Sequence, residues 1–135
     1  MDTTDQIHAM LQKKVWAVIG ATDNESKFGH KIFKLLKKAG YRVFPVNPGL
    51  ETVLGEKCYP SLSALPVKPD AVNFVVPPKV GEPIIAECAA LGIKNVWLQP
   101  GANGENVVAA AQKAELNLIY RSCILVEVRK RDPYL

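Results

Sequence analysis

The stretch Val15-Trp-Ala-Val-Ile-Gly-Ala-Thr-Asp-Asn-Glu-Ser-Lys-Phe-Gly29 decides the fold. Its first five residues are apolar and mostly β-branched or aromatic, which suits a strand buried on both faces of a parallel sheet. Gly20 ends that run, and small and polar residues from Ala21 to Ser26 form a turn. Gly29 opens a helix whose apolar positions Ile32, Leu35, Leu36 and Ala39 fall at i, i+3, i+4 and i+7. A strand, a glycine loop and a helix in this order make an anion-capturing unit. The glycines let backbone N–H groups approach a phosphate, and the open donors and dipole of the helix N-terminus favour its charge. The full dinucleotide fingerprint G-x-G-x-x-G is not present, because Thr22 stands where the second glycine would be and a longer loop precedes Gly29. A second reading therefore stays open, in which Gly20 and Gly29 only turn the chain and pack helix on strand.

Outward from this unit, strands and helices alternate. A short helix capped by Thr4 or Asp5 and running to about Gln12 precedes it, and Gly40 suits the left-handed position after the first long helix. Tyr41–Val46 reads as the second strand, with Pro45 withholding one backbone donor, and it leads into the turn Asn47-Pro48-Gly49. From Glu51 to Pro69 the pattern supports only a short edge strand around Lys57 to Tyr59 and a single turn from Ser61 to Leu65. Asp70–Val76 is the next buried strand, stopped by Pro77-Pro78, and a helix follows from Gly81-Glu82-Pro83 to Gly92. The strand Asn95–Leu98 leads to Gln99-Pro100-Gly101, and Asn103 is a candidate N-cap for a helix carrying Val107, Val108, Ala111 and Ala114. A last strand, Asn117–Tyr120, precedes Arg121-Ser122-Cys123. The stretch from Ile124 to Val128 fits either a helix turn or an extended edge.

This alternation implies right-handed crossovers and an α/β, Rossmann-like three-layer sandwich with a mostly parallel sheet of order 3-2-1-4-5-6, its third strand vestigial. In that order the Gly20 loop, the Asn47 turn, the Val76–Pro78 loop and the Gln99–Gly101 loop share one cleft at the carboxyl ends of the strands. The 135 residues, 48% of them hydrophobic, fit one domain spanning the whole chain. The formal charge of +4 rests largely on lysines of one helix face and basic residues near the C-terminus, too little for a nucleic-acid partner. Three cysteines without a C-x-x-C pair, and no signal peptide or membrane-length apolar run, lead to the expectation of a cytoplasmic protein with reduced thiols and no membrane partner. Asn47 stands where a binder of NAD carries Asp or Glu for the ribose hydroxyls, which argues against a dehydrogenase. Cys123, past a strand end, either faces the cleft with a redox role or fills core space.

The motifs Val18-Ile-Gly-Ala-Thr22, Lys27-Phe-Gly29, Gly40-Tyr-Arg-Val-Phe-Pro-Val-Asn-Pro48, Leu54-Gly55 with Tyr59-Pro-Ser-Leu62, Val75-Val-Pro-Pro78 and Val96-Trp-Leu-Gln99, with Cys123, occur in this order. The chain resembles the CoA-binding domain family, and within it the small standalone CoA-binding proteins, which are similar to the N-terminal domain of the succinyl-CoA synthetase α-subunit. The resemblance covers roughly residues 7 to 127. It implies that Gly20, Ala21, Thr22, Lys27, Phe28 and Gly29 hold the pyrophosphate, and that Asn47 and Pro48 approach the ribose. It further implies that Val76, Pro77 and Pro78 flank the adenine, and that Gln99, Pro100 and Gly101 line the pantetheine path. Leu50 stands where the synthetase has a lysine, so a 3′-phosphate needs another cation, Lys27 or Lys79. The synthetase's phosphorylated histidine lies in a domain absent from these residues. His30 has no resemblance to it and reads as a partly exposed bystander. The resemblance thus implies a monomer or homodimer that binds coenzyme A or an acyl-CoA without catalysis of its own. The alternatives are an NAD(P)-linked oxidoreductase and the nucleotide-binding subunit of an acyl-CoA ligase.

Overall fold

The computed structural model describes residues 3–135. Val15–Ile19 forms β1, and its first neighbour is β2, Arg42–Val46, reached through helix α2, Phe28–Lys38. On the other side β1 pairs with β5, Ala71–Phe74, which pairs with β6, Asn95–Leu98, and that in turn with β7, Asn117–Ile119. All pairings in this five-stranded sheet are parallel, in the order β2-β1-β5-β6-β7. The expected outermost strand is reduced to one parallel bridge between Val46 and Tyr59. The residues before it form a small antiparallel hairpin, β3 at Thr52–Val53 and β4 at Glu56–Lys57, which the sequence pattern did not separate from a loop. A single 3-10 turn at Leu62–Ala64 follows.

Helices cover both faces because both faces of the central strands are apolar. Trp16, Val18 and Trp97 project to one side, with the Trp16 and Trp97 rings 6.4 Å apart. There they meet α2, α1 (Thr3–Leu11) and α5 (Ile124–Arg131). Ala17, Ile19, Phe74 and Leu98 project to the other side, against α3 (Pro78–Ala90) and α4 (Glu105–Lys113). The residues from Ile124, for which helix and edge both fitted, thus form a helix, whose Ile124, Leu125 and Val128 are buried. Thr4 and Asp5 lie inside α1 and not at its cap.

Two further elements begin elsewhere than the sequence pattern indicated. Helix α3 starts at Pro78, three residues before Gly81, with Pro78 in the first turn and Pro83 inside the helix. Proline's fixed φ and missing donor suit a first turn, and inside the helix Pro83 removes one backbone hydrogen bond. Helix α4 is preceded by Gly104, not capped by Asn103. The Asn103 amide is instead engaged with loops, accepting from Gly101 N at 3.0 Å and donating to Tyr120 O at 2.9 Å.

Each edge of the sheet is met by another segment. At β2, Tyr59 N donates to Pro45 O and Asn47 N donates to Tyr59 O. At β7, the Gln6 amide of α1 donates to Leu118 O and to Asn117 Oδ1, both at 2.8 Å.

Cys88 of α3 is fully buried, and burial, with a smaller contribution from the Glu87 carboxylate, pushes its thiol up to about 12. In the interval between its ordinary value of 9.0 and about 12, the unfolded chain gives up this proton and the folded chain keeps it. Stability is therefore full below pH 9 and falls as pH rises, by at most ~1.4 kcal/mol per pH unit from this group. Urea melts from pH 8 to 11 should show a shallower decline for Cys88→Ala than for wild type. Parallel declines would clear this thiol of the effect.

Candidate functional site

The loop after β1 is held in shape by its own backbone and short polar side chains. Gly20 has a φ of 96°, a region that favours glycine. A Cβ there would approach Val76 Cγ1 to 2.9 Å and Val75 O to 3.0 Å. Asn24 N donates to Thr22 Oγ1, and Ser26 donates to Asn24 Oδ1 through both its N–H and its hydroxyl. Asp23 is turned away from the loop's interior, its carboxylate accepting Leu54 N at 2.7 Å and so fastening the β3–β4 turn to the loop.

Helix α2 begins directly against this turn. A Cβ on Gly29 would fall inside the contact distance of the Gly20 carbonyl oxygen, so only glycine allows the helix to come this close. The structure shows the close packing of helix on strand that the second reading of these glycines expected, and this packing brings the helix N-terminus to the loop. Lys27 occupies the N-cap position and makes no side-chain capping bond. His30 N already donates to Lys27 O at 3.2 Å, whereas the N–H groups of Phe28 and Gly29, the first two of the helix, have no intrahelical acceptor and so can meet an anion. The missing cap, usually worth ~1 kcal/mol, is outweighed by burial of Ile32, Phe33 and Leu36, each fully buried and each worth roughly 1.5–3 kcal/mol.

Asn47 ties the second loop to the first. Its Nδ2 donates to Ala21 O at 3.0 Å and its Oδ1 accepts Gly49 N at 2.9 Å. Beneath it, burial pushes the Cys58 thiol up, against opposing hydrogen bonds to the Asn47 and Tyr59 carbonyls. Between these loops and α3 lies a cleft of about 300 Å³. Pro48, Pro60, Val76, Val80 and Ile84 give it apolar walls. Glu87, also in its lining, is occupied by the 3-10 turn, accepting from Ser63 Oγ at 2.7 Å and from Leu62 N at 3.3 Å.

Of the residues singled out from the sequence, Gly20, Asn47, Pro48 and Val76 line this cleft together. Ala21 and Gly29 are buried, while Thr22 is half-buried and Lys27 and Phe28 are exposed. Pro77, Pro100 and Gly101 are exposed and Pro78 half-buried, none of them in the cleft's lining. Gln99 is buried on the other side of the sheet. Its Oε1 accepts from Asn73 Nδ2 at 3.2 Å and from Ile124 N at 2.9 Å, and its Nε2 faces Cys123 Sγ at 3.3 Å. Cys123 is half-buried at the N-cap of α5. His30, expected to be partly exposed, is 5% exposed, with Nδ1 3.1 Å from Thr22 O. Sequence reasoning missed Val80, Ile84 and Glu87 as cleft residues. Their spacing of four and three is one helix face, but a helix read from Gly81 leaves Val80 outside it.

A parallel α/β sheet with a glycine loop, an uncapped helix N-terminus and an adjoining apolar cleft at its carboxyl edge defines a Rossmann-like domain. The profile of the CoA binding domain matches residues 14–129, and the chain belongs to that family. It is 34% identical over 119 residues to the α-subunit of the ADP-forming acetate–CoA ligase II of Pyrococcus furiosus, covering 80% of this chain and 26% of that one. It is 37% identical over 94 residues to the ADP-forming acetate–CoA ligase II of Archaeoglobus fulgidus, covering 68% of this chain and 14% of the ligase. The chain thus spans about a quarter or less of these relatives. A solved hypothetical protein from Pyrococcus horikoshii superposes with a TM-score of 0.88 at 30% identity, covering 97% of this chain and 92% of that one. Among the described residues no helix is long and apolar enough to cross a membrane.

Proposed function

We propose that this protein binds coenzyme A or an acyl-CoA at the carboxyl edge of its sheet and carries out no chemistry on it. The observation that carries the reading is the pairing of two glycines, each without room for a Cβ, with an uncapped helix N-terminus beside an apolar cleft. The first is a cradle for a pyrophosphate, and the second has the size and walls for an adenine. In this reading Gly20 to Thr22 and the first turn of α2, from Lys27 to Gly29, hold the pyrophosphate. The base lies between Pro48 and Val76 beside the Pro77-Pro78 turn. Pantetheine leaves past Pro100 and Gly101, with Gln99 beneath them positioning that loop. Asn47 serves the ribose side indirectly, since its Nδ2 ties its loop to the first through Ala21 O while its Oδ1 closes its own turn through Gly49 N. Lys27 and Lys79, both exposed, are the cations for a 3′-phosphate.

The family relatives named as ligases support a second reading, in which the chain is the CoA-binding part of a larger ligase assembly. Copurification of a partner chain would favour it. The ligand is tested by thermal unfolding. At a hundredfold excess over Kd a ligand of the folded state adds ~2.7 kcal/mol, which for a domain of this size raises Tm by roughly 5 to 15 °C. CoA should give such a shift, dephospho-CoA a smaller one, and NAD and NADP little. Equal shifts with CoA and dephospho-CoA would remove the lysines from the site, and a large shift with NAD but none with CoA would overturn the reading.

A further inference from the structure

On the α2–α5 side of the sheet, away from the cleft's apolar walls, lies a groove of about 340 Å³. Lys31, Lys34 and Lys38 from α2 and Arg129 from α5 line it, against one acidic side chain, that of Glu25, with Leu135, the last residue of the sequence, also in the lining. None of these four cations forms an ion pair among the described residues. By contrast, Lys37 and Lys130, also on these helices, are paired with Glu56 and Glu127. Like charges three and four residues apart on a helix repel, and here four cations share a concavity whose lining holds one acidic side chain, Glu25, that pairs with none of them.

The groove also has a built polar element at its base. His30 lines it while being 5% exposed. Its Nδ1 faces the Thr22 carbonyl oxygen at 3.1 Å. A carbonyl can only accept, so Nδ1 carries the proton, and Nε2 is the nitrogen left to meet the groove. The same ring thereby touches both the groove and the phosphate loop. The cations extend along α2 from Lys31 to Lys38, about 10 Å at 1.5 Å per residue. That length exceeds the reach of a single phosphate and matches a chain of phosphoryl groups, and the Leu35 side chain among the cations offers an apolar surface beside it.

We propose that the α2–α5 groove is a second anion site, distinct from the cleft, which takes a polyphosphoryl ligand, either free polyphosphate or a nucleoside triphosphate. Its occupation is felt by the phosphate loop through His30 and Thr22. The proposal does not depend on what the cleft binds.

The test titrates tripolyphosphate, and separately ATP, into the protein saturated with CoA at 0.15 M salt, where diffuse attraction is largely screened beyond about 8 Å. Ring resonances of His30 are followed by NMR and affinity by calorimetry. The expected result is a saturable shift of the His30 ring. Lys34→Glu together with Lys38→Glu should weaken tripolyphosphate at least tenfold and leave CoA affinity within twofold. Both lysines are exposed, so the double variant should keep its fold, which a melting curve checks. ATP binding more tightly than tripolyphosphate would identify the nucleotide form, and the reverse the free polyphosphate. The proposal is overturned if CoA displaces tripolyphosphate, if the double variant binds it like wild type, or if the shifts grow without saturating across all lysines. Should CoA itself not bind, the same titrations on the free protein decide the groove by the lysine dependence alone.

Discussion

Valine at position 29 should lower both the stability of the protein and its affinity for CoA, the latter by more than tenfold. The Cβ it adds would collide with the Gly20 carbonyl oxygen, a backbone atom that cannot swing aside as a long side chain does. Overpacking of this kind costs typically ~1–3 kcal/mol, and relief requires α2 to retreat from the β1 turn. A retreat separates the donors of the helix N-terminus from those of the loop, so a ligand spanning both loses contacts. The tenfold loss corresponds to ~1.4 kcal/mol. Gly29→Ala should fall between valine and wild type in melting temperature, and calorimetry on whichever variant remains folded reads the affinity. Unchanged CoA affinity in a folded Gly29→Val protein would leave the loop a purely structural turn.

Gln99→Leu should be the most damaging substitution on the other side of the sheet. It removes the acceptor for two buried donors at once, Asn73 Nδ2 and Ile124 N. Each stranded donor costs ~1–3 kcal/mol, so a loss of roughly 2 to 6 kcal/mol is expected in chemical denaturation. Adding Asn73→Val should win back part of that loss, because it takes away one of the stranded groups, and with it an Oδ1 that already lacks a partner. If the double variant is no more stable than Gln99→Leu, the amide pair is not the source of the cost.

What could be read from the chain and what could not follows from where the decisive forces act. Strands such as Val15–Ile19 and Asn95–Leu98 are apolar on both faces, and that local pattern has one good solution, a buried parallel strand. The glycine loop was legible in part, since Thr22, Asn24 and Ser26 hold it from within, whereas its ties to Asn47 and Leu54 lie far off in the chain. Helix α3 was misplaced at its start because Pro77-Pro78 reads equally as a stop and as a first turn. In the structure Val80 N and Gly81 N both donate to Pro77 O, so the helix begins before Gly81. Gln99 was expected beside the cleft, but its side chain answers to Asn73 and Ile124 on the other side of the sheet, partners 26 and 25 positions away in sequence. The cleft's far wall was hidden likewise, because Pro60 and Val80 meet only when the crossover has folded.

The guarded margins of the sheet bear on how this protein can meet others. An open strand offers unpaired backbone groups that invite another chain to add itself, a route to amyloid-like stacking as well as to orderly dimers. Here Tyr59 exchanges backbone hydrogen bonds with Pro45 and Asn47 beside β2, and the Gln6 amide takes the Leu118 carbonyl at β7. A continuous sheet running through two copies is therefore disfavoured. A copy adding itself at β7 would first have to displace the Gln6 amide of α1 from Leu118 O, so the lifting of α1 is what would lay that margin bare.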